Sequence, residues 1–477
     1  YEVTEIDADN YSISASVTAN ASDTGDGGAS AEGSYEIPVG NGTLTFGYGW
    51  GVSTWGRLGW GSGALKPVIL PLTVWFFDNF DNDLVMNVNT GGKGAIFYWE
   101  RGALDDPGSS LGTRAVKLST RSGAKNVPAE VGQIMVSQND RHLLAFGATP
   151  FSGLDVTEDT GTFDPLLIRF ADQDSPEDFK PTTTNSAGFL RVSSGSRIVT
   201  AFRTRQETLV FTDMSVHSLQ FLGTTEVFSL QELETNISIS SPRCIAVASN
   251  VLFWMGTDKF YLYNGRVDTL PCTLRDHVFN DLNFDALPYI YAGTVESHNE
   301  VWWFYPSKDS QINDSYVTYN YKDNLWFYGK LNRSAWLDAN LRQFPQAVGE
   351  NTLFDHESGM DADGSAMESF ITSSDFDIGD GEKFTLVRRI IPDVDFTGSN
   401  VAEPHVKMTV KPRDFPGSAY RIEDDRNVIE TSVGVYTDQV YLRARARQIG
   451  FKITSDSLGT MWKLGSPRLD GRPDGRR

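Results

Sequence analysis

Cysteine is nearly missing from this 477-residue chain: Cys244 and Cys272 are the only two. Two are too few for a disulfide scaffold or a cysteine-built zinc site, and they point to folding in a reducing cytoplasm. Long apolar runs are missing too. The best candidate, Ala64 to Phe77, is interrupted by Lys66, Pro67 and Pro71 and then meets Asp78, so it reads as core. Helical periodicity is almost absent; Leu274 to Leu282 is one of a few short stretches that show it. Basic residues are in deficit. There are 41 Lys and Arg against 62 Asp and Glu, a net charge of −21. Such a chain repels phosphate, which excludes a generic nucleic-acid-binding module but not a protein that DNA passes without sticking.

What is present is strand signal. Runs of four to eight residues rich in Val, Ile, Phe, Tyr, Trp and Thr alternate with Gly, Asp and Asn clusters. Tyr1 to Ile6 already looks like a strand, and further chain is expected upstream. Asn20 to Gly33 is polar and small, so residues 1–33 read as the end of a small β unit and a linker.

A unit then recurs: an apolar strand, a polar turn, and a second strand ending in aromatic or apolar residues. Asp83-Leu-Val-Met-Asn-Val leads to Ala95-Ile-Phe-Tyr-Trp, and Arg141-His-Leu-Leu-Ala-Phe to Pro165-Leu-Leu-Ile-Arg-Phe. Glu207-Thr-Leu-Val-Phe leads to Val216-His-Ser-Leu-Gln-Phe, Asn250-Val-Leu-Phe-Trp to Phe260-Tyr-Leu-Tyr, and Glu300-Val-Trp-Trp-Phe to Tyr316-Val-Thr-Tyr-Asn-Tyr. Glu350-Asn-Thr-Leu-Phe opens a sixth, less regular copy. The starts fall roughly every 40–65 residues, within the range of propeller blades. A blade cannot bury both faces alone, and stacking blades does so. The expectation is an all-β chain with an irregular β-propeller of about six blades over residues 34–380. The alternative is one large sandwich or several small ones built of meander hairpins.

After Asp380 the runs alternate more cleanly, in Phe384 to Ile391, Val406 to Val410, Val435 to Thr437, Val440 to Arg447 and Ile449 to Thr454. Alternation at period two means one face buried and one solvated, so residues 381–477 read as a β-sandwich-like module with a basic tail.

Arg443, Arg445 and Arg447 stand two apart, which in a strand puts three guanidinium groups on one face and Leu442, Ala444 and Ala446 on the other. From Arg443 to the end, including Arg468, Arg472, Arg476 and Arg477, the chain carries +6; the preceding 442 residues carry −27. Three readings of the stripe follow: a solvated face with local carboxylate partners, a docking surface for an acidic neighbouring subunit, or a DNA contact that the bulk charge opposes. Phe46 to Gly61 alternates aromatics with glycine. Trp50, Trp55 and Trp60 could stack on sugars or pack the loop against the body or a subunit neighbour. Packing is favoured, because no carboxylate or amide cluster accompanies the run. Asp361-Ala-Asp-Gly-Ser resembles the start of a calcium loop, but the twelfth position is Thr372 where a bidentate Glu is needed, so it reads as a polar turn. No nucleophile elbow, phosphate loop or metal spacing is found, and no catalytic, metal or cofactor site is expected.

Phe46 to Gly61, the repeats, Leu353-Phe-Asp-His-Glu-Ser-Gly with Asp361 to Ser365, and above all the ending from Arg443-Ala-Arg-Ala-Arg-Gln-Ile-Gly-Phe through Trp462-Lys-Leu-Gly-Ser-Pro-Arg to Arg477 resemble the tail nozzle proteins of short-tailed bacteriophages. That family includes the tail tubular protein B and packaged-DNA stabilisation types. The resemblance implies a structural virion protein with a propeller-like body, not an enzyme. It implies a homo-hexameric ring below a dodecameric adaptor and the portal, with tail fibres or spikes as further neighbours. Duplex DNA would pass through the lumen, be retained, and be released at the host surface. The rival class is a receptor-binding or glycan-degrading propeller of the virion; a free cytoplasmic propeller scaffold is a third.

Overall fold

The computed structural model describes residues 2–7, 10–14, 72–100, 115–137, 140–224, 226–339, 342–349, 352–377, 381–421 and 430–475. The chain divides into two compact units, residues 1–189 and 190–477. The fold is all-β and propeller-like: six small antiparallel sheets follow one another along the chain, then a sandwich-like module.

In the first unit, Glu2–Asp7 pairs with Asn10–Ser14 as a hairpin. The first sheet is a meander of Thr73–Phe80, Asp83–Thr90, Ile96–Trp99 and Val116–Lys117. The second is Val131–Ser137, His142–Ala148, Asp164–Phe170 and Gly188–Arg191. The two first strands face each other: the Val136 N–H donates to the Asp78 carboxylate at 2.9 Å, and Gly94 and Val131 exchange backbone hydrogen bonds. Val85, Ile96, Val131, Ile134, Leu143, Ala145 and Phe179 form the shared core. Inside it lies an ion pair, Arg169 with Asp159 at 2.8 Å, both side chains without any solvent exposure.

In the second unit the third sheet is Ile198–Arg203, Thr208–Thr212, Ser215–Phe221 and Phe228–Thr235. The fourth is Ile245–Ala248, Val251–Met255, Phe260–Tyr263 and Val267–Leu270. The fifth is Tyr291–Val295, Glu300–Tyr305, Ser315–Asn320 and Leu325–Lys330. The sixth has three strands, Ala335–Leu337, Gln346–Gly349 and Thr352–Asp355. Ser249 and Asn250, both with positive φ, make the tight turn between the first two strands of the fourth sheet. The one α-helix among the described residues, Arg275–Asp281, follows the fourth sheet.

The recurring sequence unit corresponds to the second and third strands of each of the first five sheets. In the second, third and fourth sheets its first member is buried on both faces, fully so in His142–Ala148; in Asp83–Thr90 of the first sheet only Val85 and Asn87 are buried. The sixth copy differs from expectation. Its sheet begins at Ala335, and Thr352–Asp355 is its last strand.

Within the second unit, consecutive sheets pack through their aromatic faces. Trp254, Trp303, Phe260, Tyr261 and Val301 share one core, and the Trp303 indole donates to the Cys244 carbonyl at 3.0 Å. Between the fifth and sixth sheets, Trp336 stacks on Trp302 and its indole N–H donates to the Thr294 carbonyl at 2.8 Å. Gly293 permits this. A Cβ there would lie 2.4 Å from the Trp336 ring, closer than atoms pack.

Beside a small two-stranded sheet, Val394–Asp395 with Lys463–Leu464, the C-terminal module is built on two larger ones. One runs Ser369–Thr372, Gln448–Ser455, His405–Arg413 and Glu430–Gly434; the other runs Val440–Ala446, Thr385–Ile391 and Arg468–Pro473. Val387, Ile390, Val406, Met408, Leu442, Ala444 and Ile453 fill the space they share. At about 1.5–3 kcal/mol per large apolar side chain, this burial is what holds the two sheets together. The strand expected at Val435 to Thr437 is not one. The strand ends at Gly434, where the Gly434 N–H donates to Thr437 Oγ1 and the Thr437 N–H donates back to the Gly434 carbonyl, both at 3.0 Å, closing a turn.

Candidate functional site

The arginine stripe falls on the three-stranded sheet of this module. Along Val440–Ala446, Val440, Leu442, Ala444 and Ala446 are buried, while Tyr441 and Arg443 are exposed and Arg445 half-buried, as the period-two spacing requires. Cross-strand register carries the face outward. Leu386 lies between Arg445 and Arg472, and Arg389 between Tyr441 and Asp470; Ile391 is opposite Arg468. A register shift between Val387 and Arg389 turns both Arg388 and Arg389 away from the core, with Val387 and Ile390 inward. One sheet face therefore bears Arg388, Arg389, Arg443, Arg445, Arg468 and Arg472, with Asp470 among them.

Some of these are held in place. Arg389 pairs with Asp470 at 3.2 Å and donates to the Gln439 side chain. Arg445 pairs with Asp474 at 2.5 Å, and its guanidinium carbon lies 4.1 Å from the Phe384 ring centre. Arg447 stands over the same ring at 4.9 Å, at the corner between two strands. Arg388, Arg443, Arg468 and Arg472 are exposed. Two Asp against six Arg leave the face about four charges positive, on a chain of −21. Exposed ion pairs contribute only about 0–1 kcal/mol each, so these pairings add little to stability.

The stripe thus brings together Arg443, Arg445, Arg468 and Arg472 of the residues singled out in the sequence. Arg447 lies beside them. Arg476 and Arg477 lie outside the described residues, as do Trp50, Trp55 and Trp60. Arg388 and Arg389 belong to the face and were not singled out. An Arg-Arg dipeptide in a strand reads as one residue out and one in, and the register shift that exposes both has no local signature.

A second polar cluster lies in the third sheet. The Ser194 hydroxyl is 3.2 Å from His217 Nε2 and also donates to Glu232, whose carboxylate is 3.5 Å from the same nitrogen. Burial pushes the His217 imidazole down, towards its neutral form. Its Nδ1 is buried with no hydrogen-bond partner. A nucleophile relay needs the acid on the ring nitrogen opposite the serine; here both sit on one nitrogen. Asp361 to Ala366 is a two-residue hairpin turn, with Asp363 and Gly364 at positive φ and Asp361 accepting from the Gly459 N–H at 2.9 Å. Among the described residues no group of three or more His, Cys, Asp or Glu could hold a metal, and no helix is long and apolar enough to cross a membrane.

No family model matches the chain, and no curated relative matches it. Solved structures similar to it include the extracellular domain of a one-component system from B. thetaiotaomicron, at 11% identity and a TM-score of 0.36, over 61% of this chain and 32% of that one. PorZ, a surface component of the type-IX secretion system of Porphyromonas gingivalis, is similar at 8% identity and a TM-score of 0.35, over 83% of this chain and 50% of that one. The WD40 domain of Toxoplasma gondii coronin is similar at 9% and 0.33, over 83% and 90%. The chain thus spans about a third and a half of the first two, and at such TM-scores none of these likenesses carries weight for function.

Proposed function

We propose that the chain is a structural virion protein of the tail-nozzle type, a ring of six copies whose bore passes duplex DNA at the distal end of a short phage tail. The observation that carries this reading is the segregation of charge: an arginine face on one sheet of an otherwise acidic chain. Copies of such a chain attract one another face to flank, and the adaptor above is a second acidic partner the same face could meet. The resemblance of the C-terminal sequence supports the same reading. Duplex DNA carries about one negative charge per 1.7 Å of axis, and a basic bore would clamp it. Six copies of a −21 chain carry −126, so the DNA slides. No catalytic chemistry is assigned to the chain, and its place is the virion, after assembly in the host cytoplasm.

Imaging of the purified protein tests the reading. Hollow six-fold rings with a bore lined by Asp and Glu are expected. A bore lined mainly by Lys and Arg, or a monomer that releases sugar from host glycans, would refute it.

A further inference from the structure

Among the described residues, buried guanidinium groups have partners. Arg169 has one carboxylate and the carbonyls of Thr149, Asn126 and Phe179; Arg413 has Asp375 and the Tyr420 ring. Arg243 is different. It stands just before the first strand of the fourth sheet, and its carbonyl accepts from the Ala292 N–H at 2.8 Å, which ties it to the first strand of the fifth. Its guanidinium carbon lies 5.4 Å from the Tyr291 ring centre. Its side chain has no hydrogen bond or ion pair among the described residues; its Nε is shielded without a partner, as it is in Arg169 and Arg413, and the Tyr289 hydroxyl is likewise shielded and unpartnered. Burial pulls the guanidinium pKa down, and only the weaker pull of Tyr291 and Tyr289 opposes it; no carboxylate does. The guanidinium and the Tyr289 hydroxyl thus each lack an acceptor among the described residues. Leaving such donors unmet is costly in a half-buried setting.

The surroundings are stiff. Ser241 Oγ accepts from the Arg243 N–H at 3.2 Å and lies 3.4 Å from the Pro288 carbonyl, and the Tyr289 carbonyl accepts from Asn313 Nδ2 at 2.7 Å. These bonds fix the backbone that carries Arg243 and Tyr289, so less freedom is lost when a ligand arrives.

We propose that Arg243, Tyr289 and Tyr291 form a binding site for a small oxyanion at the junction of the fourth and fifth sheets. The guanidinium fork offers parallel N–H donors to two oxygens, the Tyr289 hydroxyl offers a third, and the Tyr291 ring backs the cation. A free phosphate and a carboxylate share this chemistry.

The test is thermal unfolding of the full chain in inorganic phosphate or in acetate, at ionic strength held constant with sodium chloride. A saturable rise in unfolding temperature with either anion is expected. Which one acts tells a phosphate site from a carboxylate site. Arg243→Met should abolish the rise, and should unfold no earlier than the parent without anion, since it removes a cation that has no counter-charge. Tyr289→Phe should weaken the apparent affinity about tenfold, the scale of one hydrogen bond to a charged group, and it carries the test if Arg243→Met fails to fold. No rise with either anion, or an equal rise in the parent and the variants, would overturn the proposal.

Discussion

Replacing Arg169 by Met should cost the first unit about 6 kcal/mol or more. The guanidinium donates to the Asp159 carboxylate at 2.8 Å and to the carbonyls of Thr149, Asn126 and Phe179 at 2.8–3.0 Å. Met keeps most of the buried stem and removes all four donations. Asp159 is then left with the Asn126 side-chain amide at 3.0 Å and the Ser152 N–H at 3.2 Å, a buried carboxylate without a counter-charge. Breaking a buried pair from one side costs about 3–5 kcal/mol, and each carbonyl orphaned with it adds about 1 kcal/mol or more. Against a total of about 5–15 kcal/mol for a domain, the unit should be near unfolding. Hydrogen exchange read by mass spectrometry over residues 142–148 and 164–170 gives the local free energy. Exchange should speed up by roughly three orders of magnitude or more. Asp159→Asn added to Arg169→Met removes the stranded charge, so the pair should be less damaged than Arg169→Met alone, a coupling of opposite sign to simple addition. A loss under about 1 kcal/mol for Arg169→Met would refute the argument that this network is held by its charge pairing.

Two further outcomes follow from the second unit. Gly293→Ala should destabilise the packing of the fifth and sixth sheets by about 2 kcal/mol or more, because the added Cβ meets the Trp336 ring at 2.4 Å; urea unfolding followed by tryptophan fluorescence reads it, and an unchanged midpoint contradicts the contact. His356 accepts from Arg333 Nε at 2.8 Å, and burial, with the Arg333 charge next, pulls its pKa down to about 4. The unfolded histidine titrates near 6.5, so the unfolded state takes the proton first. Stability should be full above about pH 6.5, fall by about 2 kcal/mol as pH drops towards 4 once partial exposure is allowed for, and level off below. In His356→Gln, which keeps an acceptor for Arg333, that pH dependence should vanish; Trp336, 4.7 Å from the His356 ring, is the fluorescent probe.

Much of the fold was legible in residue order, for reasons of burial. Second strands such as Thr208–Thr212 and Val251–Met255 are buried over nearly their whole length, so they stand out as apolar runs. First and fourth strands were not seen as units. Phe228–Thr235 carries Gln231, Glu232 and Glu234 on an exposed edge, and Gly188–Arg191 alternates without a fully buried position, so neither announces itself. The helix at Arg275–Asp281 was visible from its apolar spacing. In the C-terminal module the alternation of Val440–Ala446 predicted both faces. Its extension to Arg388 and Arg389 depends on a register shift against two partner strands, which pairing sets and local sequence does not. Arg243 had no signal at all: its interest lies in the acceptor that folding fails to bring near it.

Assembly through the arginine face is the claim on which the functional reading turns, and the mass of the particle in solution tests it most directly. Mass photometry of the intact chain at low salt should find six copies of a 52.8 kDa chain, about 317 kDa, giving way to smaller species as salt screens the face. Arg388→Ala, Arg443→Ala and Arg472→Ala together spare the paired Arg389 and Arg445, and should shift the mass to the single chain without loss of fold. A single-chain mass at every salt and protein concentration, or a ring indifferent to both salt and the triple variant, would contradict the account.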